Sequence, residues 1–264
     1  MKMKVSVSKW VVAILICLAF ILPVEQNVVA SQEREKNIDP AIIAQVINST
    51  IQIRIFAPTM VHGHYVMAQG LGSLVMNAGE MQIVTHNHWG ETLKNAEFVR
   101  FYDCADNLLV EMNVNSFNQL VLAQGAGTLL LEVPNEVKTR MQALNVTDLA
   151  ANGDVQAGEI VLVAHQADGN TSRVDILEAE LANRSIYKQL PVFKLQTLDG
   201  QPIVSGDSGG GVWLDGKLVG NIWGRETVQQ QAGWGALDWL KPDLPMIEVD
   251  YAAQFPSYLN TVNK

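Results

Sequence analysis

A serine surrounded by glycines is the residue of this sequence best suited to chemistry. The run from Val204 to Trp213 reads VSGDSGGGVW, which places Ser208 between one preceding glycine and three that follow it. Glycine adopts turn conformations closed to other residues and lets another molecule approach the backbone closely. We therefore predict that this loop presents the Ser208 hydroxyl as a nucleophile, with the amides of Gly206 and Ser208 directed at one developing oxyanion.

The order of serine and histidine along the chain separates two kinds of serine hydrolase. The same run satisfies G-x-S-x-G, the nucleophile elbow of α/β-hydrolases, whose histidine follows the serine. All five histidines of this chain precede Ser208, and the residues after Ser208 read as a strand rather than a helix. The elbow interpretation therefore fails, and an arrangement with the histidine first is favoured.

The segment around His88 resembles the histidine motif of the trypsin-like serine proteases. Residues 83–89 read IVTHNHW, similar to the family's apolar pair, Thr, two further residues and His. Residues 69–75 (QGLGSLV) and 220–224 (GNIWG) resemble two other segments of bacterial members, in the same order along the chain. The resemblance implies that His88 is the general base, whereas His86 takes a position that is usually small and is expected to be structural.

The resemblance also implies a fold and the roles of further residues. It implies an all-β protein with a double six-stranded β-barrel of the chymotrypsin type, acting on a polypeptide substrate without a cofactor. Asp207 would be a buried carboxylate that shapes the oxyanion loop, and the strand containing Ile222, Trp223 and Gly224 would pair with the substrate backbone. The Ile-Val-Gly-Gly motif that supplies a new N-terminus in zymogens of the family does not occur here.

The orienting acid is where the sequence departs from the family pattern. Gly127, before the apolar run TLLLEV, stands where the family carries Asp. Asp106 precedes a similar apolar run, but it follows His88 too soon for the usual intervening hairpin. The acid normally fixes the tautomer of the histidine and stabilises the imidazolium. Its absence predicts weak catalysis.

The specificity pocket is predicted by counting back from the nucleophile. Pro202 stands at the position that carries Asp in the enzymes of the family that cut after Lys or Arg. Burying an unpaired cation is costly, so we expect an apolar or small residue before the scissile bond. Gly224, with Gly233 or Gly235, would leave the walls of the pocket open.

The elements that must position these residues are mostly strands. Asp39 and Pro40 are typical of a helix start, and they predict a short helix over 41–47. From Thr50 onward, short runs with period-two alternation are separated by Gly, Asn and Asp, as in a sandwich or barrel. The predicted strands are Ile51–Phe56, Gly72–Met76, Gln82–Thr85, Glu97–Tyr102, Leu108–Val114, Thr128–Val133, Glu159–Ala164, Gly210–Leu214, Lys217–Trp223 and Gly233–Trp239.

The N-terminal segment predicts export. Residues 1–30 combine three early lysines, an apolar run from Trp10 to Val24 and small residues before Ser31, as in a secretory signal. The apolar run is shorter than the ~20 residues that span a membrane, although a retained anchor is the alternative. We expect a leader and short helix over 31–49 and a protease domain over 50–264. Cys104 would be the only cysteine left after cleavage, which excludes an intrachain disulfide.

Charge and histidine spacing bear on other functions. The formal net charge of −9 argues against nucleic acid or an anionic membrane as a partner, and no lipid partner is expected beyond a possible anchor. The pairs His62/His64 and His86/His88 could each share a strand face and offer imidazoles to zinc or copper, although nothing indicates that the pairs meet, and no metal is expected. Two functional alternatives stay open: a binding module on the protease fold with decayed catalysis, and an esterase on the same scaffold.

Overall fold

The computed structural model describes the backbone of residues 38–58, 63–77, 79–125, 127–141, 144–145, 156–166, 173–187, 190–201, 203–204, 206–229 and 246–254. Residues from Asp39 onward form one compact unit. The predicted signal (1–30) and residues 31–37 of the predicted leader fall outside these residues. No helix within them is long and apolar enough to cross a membrane.

The helices of the described part are short and lie outside the sheets. The first begins as the sequence predicts: the Asp39 carboxylate accepts a hydrogen bond from the Ala41 amide (2.9 Å), and Pro40 occupies the first turn. The helices are α1 (Pro40–Asn48), α2 (Gly90–Leu93), α3 (Val114–Gln119) and α4 (Asn135–Lys138).

The first sheet is built almost entirely from antiparallel neighbours. Its hydrogen-bonded order is β5-β4-β1-β2-β3-β7-β6, and the short β8 pairs in parallel with β2. The end strands β5 and β6 follow each other in the chain and are joined by α3. The strands are β1 (Thr50–Pro58), β2 (His64–Asn77), β3 (Glu80–His86), β4 (Phe98–Tyr102), β5 (Leu108–Asn113), β6 (Val121–Gly125), β7 (Thr128–Glu132) and β8 (Leu144–Asn145).

The second sheet closes on itself in the order β10-β11-β14-β13-β12-β9. Each of its strand pairings is antiparallel. The strands are β9 (Ile160–Gln166), β10 (Val174–Tyr187), β11 (Leu190–Thr197), β12 (Gly211–Leu214), β13 (Lys217–Gln229) and β14 (Met246–Gln254).

Each sheet has its own apolar core. Alternate residues of β1 supply the centre of the first core, where Ile51, Ile53 and Ile55 are fully buried beside Phe101 and Phe117. The second core gathers side chains from β9–β13. Its buried members are Val161, Val163, Leu177, Ala179, Leu181, Leu195, Ile203, Val212, Val219 and Ile222. The two sheets meet where β13 lies against β3 and β12 lies against β2, and this boundary is called the seam.

The all-β prediction is confirmed, and so is the short helix after Asp39. Strands lie at or close to nine of the ten predicted positions, whereas Gly233–Trp239 lies outside the described residues. The sequence reading missed β6, β8, β10, β11 and β14. The first sheet has eight strands, so its strand pairing does not by itself show a double six-stranded barrel.

Candidate active site

The Ser208 loop lies just before β12 and can form only with glycine at two of its positions. Gly206 and Gly209 have φ values of 111° and 88°, in the region that favours glycine. A side chain at Gly209 would collide with the Leu71 carbonyl oxygen and the Thr85 hydroxyl. Gly209 therefore permits the close packing of the loop on β2 and β3.

Asp207 is fully buried and holds the loop from inside. One carboxylate oxygen accepts a hydrogen bond from the Gln166 amide at the end of β9, and the other accepts one from the Val204 amide, both at 2.7 Å. The second oxygen also lies 3.6 Å from Nδ1 of the buried His165. A buried carboxylate needs such donors, and backbone amides supply them here.

Backbone amides of the loop divide into two groups. The amides of Asp207, Gly209 and Gly210 donate to the carbonyls of Val204, Ile222 and Asp207 at 3.1, 2.7 and 2.8 Å. Within the described part of the chain, the amides of Gly206 and Ser208 donate to no acceptor. These two amides are the pair that the sequence assigns to the oxyanion.

The loop is tied to the strand pair that carries the histidines. The Ser208 carbonyl accepts a hydrogen bond from the Leu71 amide in β2 (2.8 Å), and the Thr85 hydroxyl donates to the Leu71 carbonyl (2.6 Å). A side chain at Gly70 would place its Cβ 2.6 Å from the Ser208 carbonyl oxygen and 2.8 Å from Nε2 of His86. The Ser208 backbone and the imidazole of His86 thus meet at Gly70.

Four aromatic rings are arranged in series beside this loop. The His86 ring stacks on His88 at 3.8 Å and 28° on one side and lies against Trp89 at 3.8 Å and 33°. The fourth ring is that of Trp223, whose centroid lies 6.3 Å from that of His88 with an angle of 71° between the ring planes. Trp223 in turn donates from Nε1 to Oδ1 of Asn87 (2.9 Å), which links β13 to the histidine segment.

The two histidines differ in their surroundings. His88 is exposed at the surface of the seam, whereas His86 is 2% exposed. Burial, and secondarily the charge of His88, lowers the pKa of His86 well below its ordinary value, so this ring is neutral at pH 7. Nδ1 of His86 accepts a hydrogen bond from the His88 amide (3.3 Å), which puts the proton of the neutral ring on Nε2. Among the described residues, Nε2 has no hydrogen-bond partner.

The expected seat of the acid has a backbone conformation that disfavours a side chain. Gly127 has φ 82°, and a residue with a side chain is strained there. The next residue, Thr128, is the register partner of His86 and donates through its hydroxyl to Oδ1 of Asn221 (2.7 Å) in the interior. A neutral hydrogen bond between the two sheets occupies this part of the seam.

The carboxylates of the earlier hairpin have other partners. Asp106 pairs with Arg54, whose guanidinium also lies over the ring of Tyr102. Asp103 accepts hydrogen bonds from the amides of Ala105 and Asn107 and shapes the turn before β5. Both side chains thus serve the outer face of the first sheet.

The residues predicted to bind substrate lie in β13 next to the loop. Ile222 is buried, its carbonyl accepts from the Gly209 amide, and its amide donates to the Gly210 carbonyl (2.8 Å). The backbone of Ile222 therefore anchors the nucleophile loop. Trp223 is half-buried beside the histidines, and Gly224 continues the strand opposite Tyr251. Pro202, the predicted pocket floor, lies outside the described residues, as do Gly233 and Gly235.

The described residues do not bring the histidine pairs together as a metal site. His64 interacts with Glu97 at 2.5 Å and with the edge of Phe98, and His62 lies outside the described residues. No group of three or more His, Cys, Asp or Glu side chains in the described ranges is placed to hold a metal ion.

The sequence did not predict three residues that contact the Ser208 loop although they lie far from it in the chain. Gln69 donates to Oε1 of Gln166 (3.0 Å), and a side chain at Gly206 would meet both amides, at 2.6 and 2.9 Å. His165, next to Gln166, faces the Asp207 carboxylate. His165 and Gln166 lie in no motif of the sequence, and Gln69 begins a family-like segment in which nothing marks it as a site residue. Scans of the sequence against protein-family models and against curated proteins find no match.

Proposed function

We propose that the chain is a serine endopeptidase on a two-barrel, trypsin-like scaffold, exported by its N-terminal segment and acting on polypeptides without a cofactor. The observation that carries the proposal is the packing of the Ser208 loop on the histidine strand pair. The Leu71–Ser208 hydrogen bond joins them, and the rings of His86 and His88 lie beside the junction. Ser208 itself is half-buried, so the residue is partly exposed to solvent.

The proposed reaction uses groups of this chain alone. Oγ of Ser208 attacks the peptide carbonyl carbon while its proton passes to His88, and the carbonyl electron pair moves onto oxygen. The amides of Gly206 and Ser208 donate to that oxyanion. The C–N bond then breaks as His88 returns the proton to the departing amine. Water, deprotonated by His88, attacks the acyl-enzyme and releases Ser208.

The specificity expected of this enzyme follows from the residues before the nucleophile. Ile203 is 2% exposed and Val204 is half-buried, so the chain leading to the loop offers apolar side chains and no counter-charge. A basic substrate residue would lose its hydration without gaining an ion pair from these positions. We therefore propose an apolar or small residue before the scissile bond.

An esterase on the same scaffold is the second candidate, and the conformation of Gly127 favours it. Gly127 carries no carboxylate at the expected acid position, and its positive φ disfavours a residue that would. Activated esters have better leaving groups than amides and need less from the base. This candidate therefore predicts ester hydrolysis with little or no peptide cleavage.

Labelling with a fluorophosphonate probe tests the nucleophile, and digestion of casein distinguishes the two candidates. Wild type should be labelled and Ser208→Ala should not, while Ser116→Ala in α3 serves as the matched control and should be labelled normally. Peptide bond cleavage that disappears in Ser208→Ala supports the endopeptidase. Ester turnover without cleavage supports the esterase, and no labelling at all supports a binding module with decayed catalysis.

A further inference from the structure

The ring of His86 occupies a place in the site that a merely structural histidine does not need. It lies between Trp89 and His88, with both centroid distances at 3.8 Å. Its Nδ1 also accepts from the His88 amide, so the same side chain contacts both the backbone and the ring of the proposed base. On its inner side, Cδ2 of His86 would lie 3.1 Å from a Cβ at Gly209, against the nucleophile loop.

We propose that His86 is the positioning residue of His88: the face of its ring holds the imidazole of His88 parallel to it, and its Nδ1 holds the His88 backbone. This inference rests on the proposed function, because it assigns a role in the reaction of Ser208 and His88. It differs from the sequence-based expectation that His86 is structural, and the experiment below decides between the two.

Two aromatic rings contact the ring of His88. The stack on His86 restricts the tilt of the ring, and Trp223 makes a second, edge-type contact with it at a centroid distance of 6.3 Å and an angle of 71°. Trp223 is held by its hydrogen bond to Asn87, the residue between the two histidines. His86 and Trp223 contact the ring of the base, and Asn87 holds Trp223. We call these three residues the ring clamp.

The clamp also affects the charge that His88 acquires during the reaction. A cation over the face of a neutral aromatic ring is attracted by the π-electrons of that ring. His86 can act in this way only while it is uncharged, because a second imidazolium would repel the first. Burial keeps the pKa of His86 low and so preserves the neutral ring.

Three substitutions at position 86 separate the parts of this role. His86→Phe keeps a ring against His88 but removes the acceptor, His86→Asn keeps an acceptor without the ring, and His86→Ala removes both. We expect His86→Phe to keep kcat within about threefold of wild type. His86→Ala should lower kcat by at least about tenfold with KM nearly unchanged, and His86→Asn should fall between. His64→Ala, at an exposed histidine, is the control.

A spectroscopic measurement makes the test independent of turnover. Two-bond ¹H–¹⁵N spectra of protein labelled at histidine report the tautomer of each ring, and His88→Ala assigns the His88 signals. A single His88 tautomer in wild type and His86→Phe, replaced by a mixture in His86→Ala, is the expected result. Thermal unfolding of each variant shows whether it is folded.

The outcomes distinguish this inference from the proposed function. An unchanged His88 tautomer in folded His86→Ala, together with kcat within threefold of wild type, overturns the positioning role. If wild type is neither labelled nor active, the proposed function fails, and the tautomer spectra alone decide whether His86 orients His88. Loss of activity in His86→Phe equal to that in His86→Ala would also contradict a role for the ring face.

Discussion

Acid should weaken the folded protein through His86, and His86→Phe should remove that weakness. In the folded state the ring is 2% exposed and its pKa lies well below the ordinary value of 6.5, chiefly because of burial and secondarily because of the charge of His88. In the unfolded state the same ring is solvated and binds a proton at its ordinary pKa. Below pH 6.5 the unfolded chain therefore holds a proton that the folded chain excludes.

The sign and size of the effect follow from proton linkage. Stability rises with pH wherever the unfolded state binds more protons, so the stabilisation is complete above pH 6.5 and is lost as the pH falls below it. One excluded proton changes the free energy of unfolding by about 1.36 kcal/mol per pH unit. Between pH 6.5 and pH 5 the loss reaches about 2 kcal/mol, provided that His86 stays neutral throughout.

Urea unfolding of wild type and His86→Phe at pH 7.5 and pH 5 measures this directly. The difference in unfolding free energy between the two proteins should shift by about 2 kcal/mol in favour of His86→Phe on acidification. His88 is the titratable group in contact with His86, so the same comparison is repeated in a His88→Ala background. Most of the shift should persist there, because burial is the larger cause.

A constant difference between the proteins at both pH values would refute the reasoning. It would mean that His86 takes up a proton in the folded state, and hence that the ring is hydrated or paired with an acid. The neutral ring face that the ring clamp requires would then be lost as well.

Four further outcomes are expected from other parts of the site. Gly209→Ala should abolish probe labelling and cost at least about 2 kcal/mol, because its φ is positive and a Cβ would meet the Leu71 carbonyl. Gly127→Asp should leave kcat on a peptide unimproved and cost about 1 kcal/mol in urea unfolding. Asp207→Asn should lower stability by about 3 kcal/mol and reduce labelling, since one of two buried amides would face an NH₂ group. Cys104 should react with iodoacetamide more slowly than a solvated thiol, because burial and then the charge of Asp103 raise its pKa.

Each of these outcomes has a contrary result. Gly79→Ala is the control for Gly209→Ala, because Gly79 has a positive φ but no atom within 4 Å of an added Cβ. Equal losses of stability in both variants would show that backbone strain, and not the collision with Leu71, is the cause. A rise in kcat for Gly127→Asp would show that the acid seat is usable. Normal labelling of Asp207→Asn would show that the loop does not need the buried carboxylate to present Ser208. Rapid alkylation of Cys104 would contradict its half-buried placement.

Local patterns predicted most of the first sheet because its strands alternate visibly. In β1 the isoleucines recur at every second position, and all three are fully buried. The sequence of β10 hides the same alternation. It reads DILEAEL from Asp175 to Leu181, in which Ala, Glu and Leu are strong helix formers, although Leu177, Ala179 and Leu181 point to the core in period two. Cross-strand pairing with β9 and β11 overrides that propensity.

The site divides in the same way between local and distant determinants. The glycines around Ser208 could be recognised because a positive φ restricts the choice of residue at its own position. The donors to Asp207 could not, since they are backbone amides of Gln166 and Val204 and leave no mark on the residue type. The burial of His86 could not be predicted from the sequence either, because it depends on Gly70 and Gly209, which approach from other segments of the chain.

The hydrogen bonds of Asp207 bear on whether the proposed enzyme needs activation by a new N-terminus. In zymogens of the family that this chain resembles, the corresponding carboxylate waits for a new N-terminal ammonium before the oxyanion loop takes its working shape. Here the carboxylate is fully buried and already accepts two amide hydrogen bonds at 2.7 Å, with His165 at 3.6 Å. An added ammonium would have to displace these donors to reach it. On the proposed function, the oxyanion loop therefore needs no new N-terminus to take its working shape.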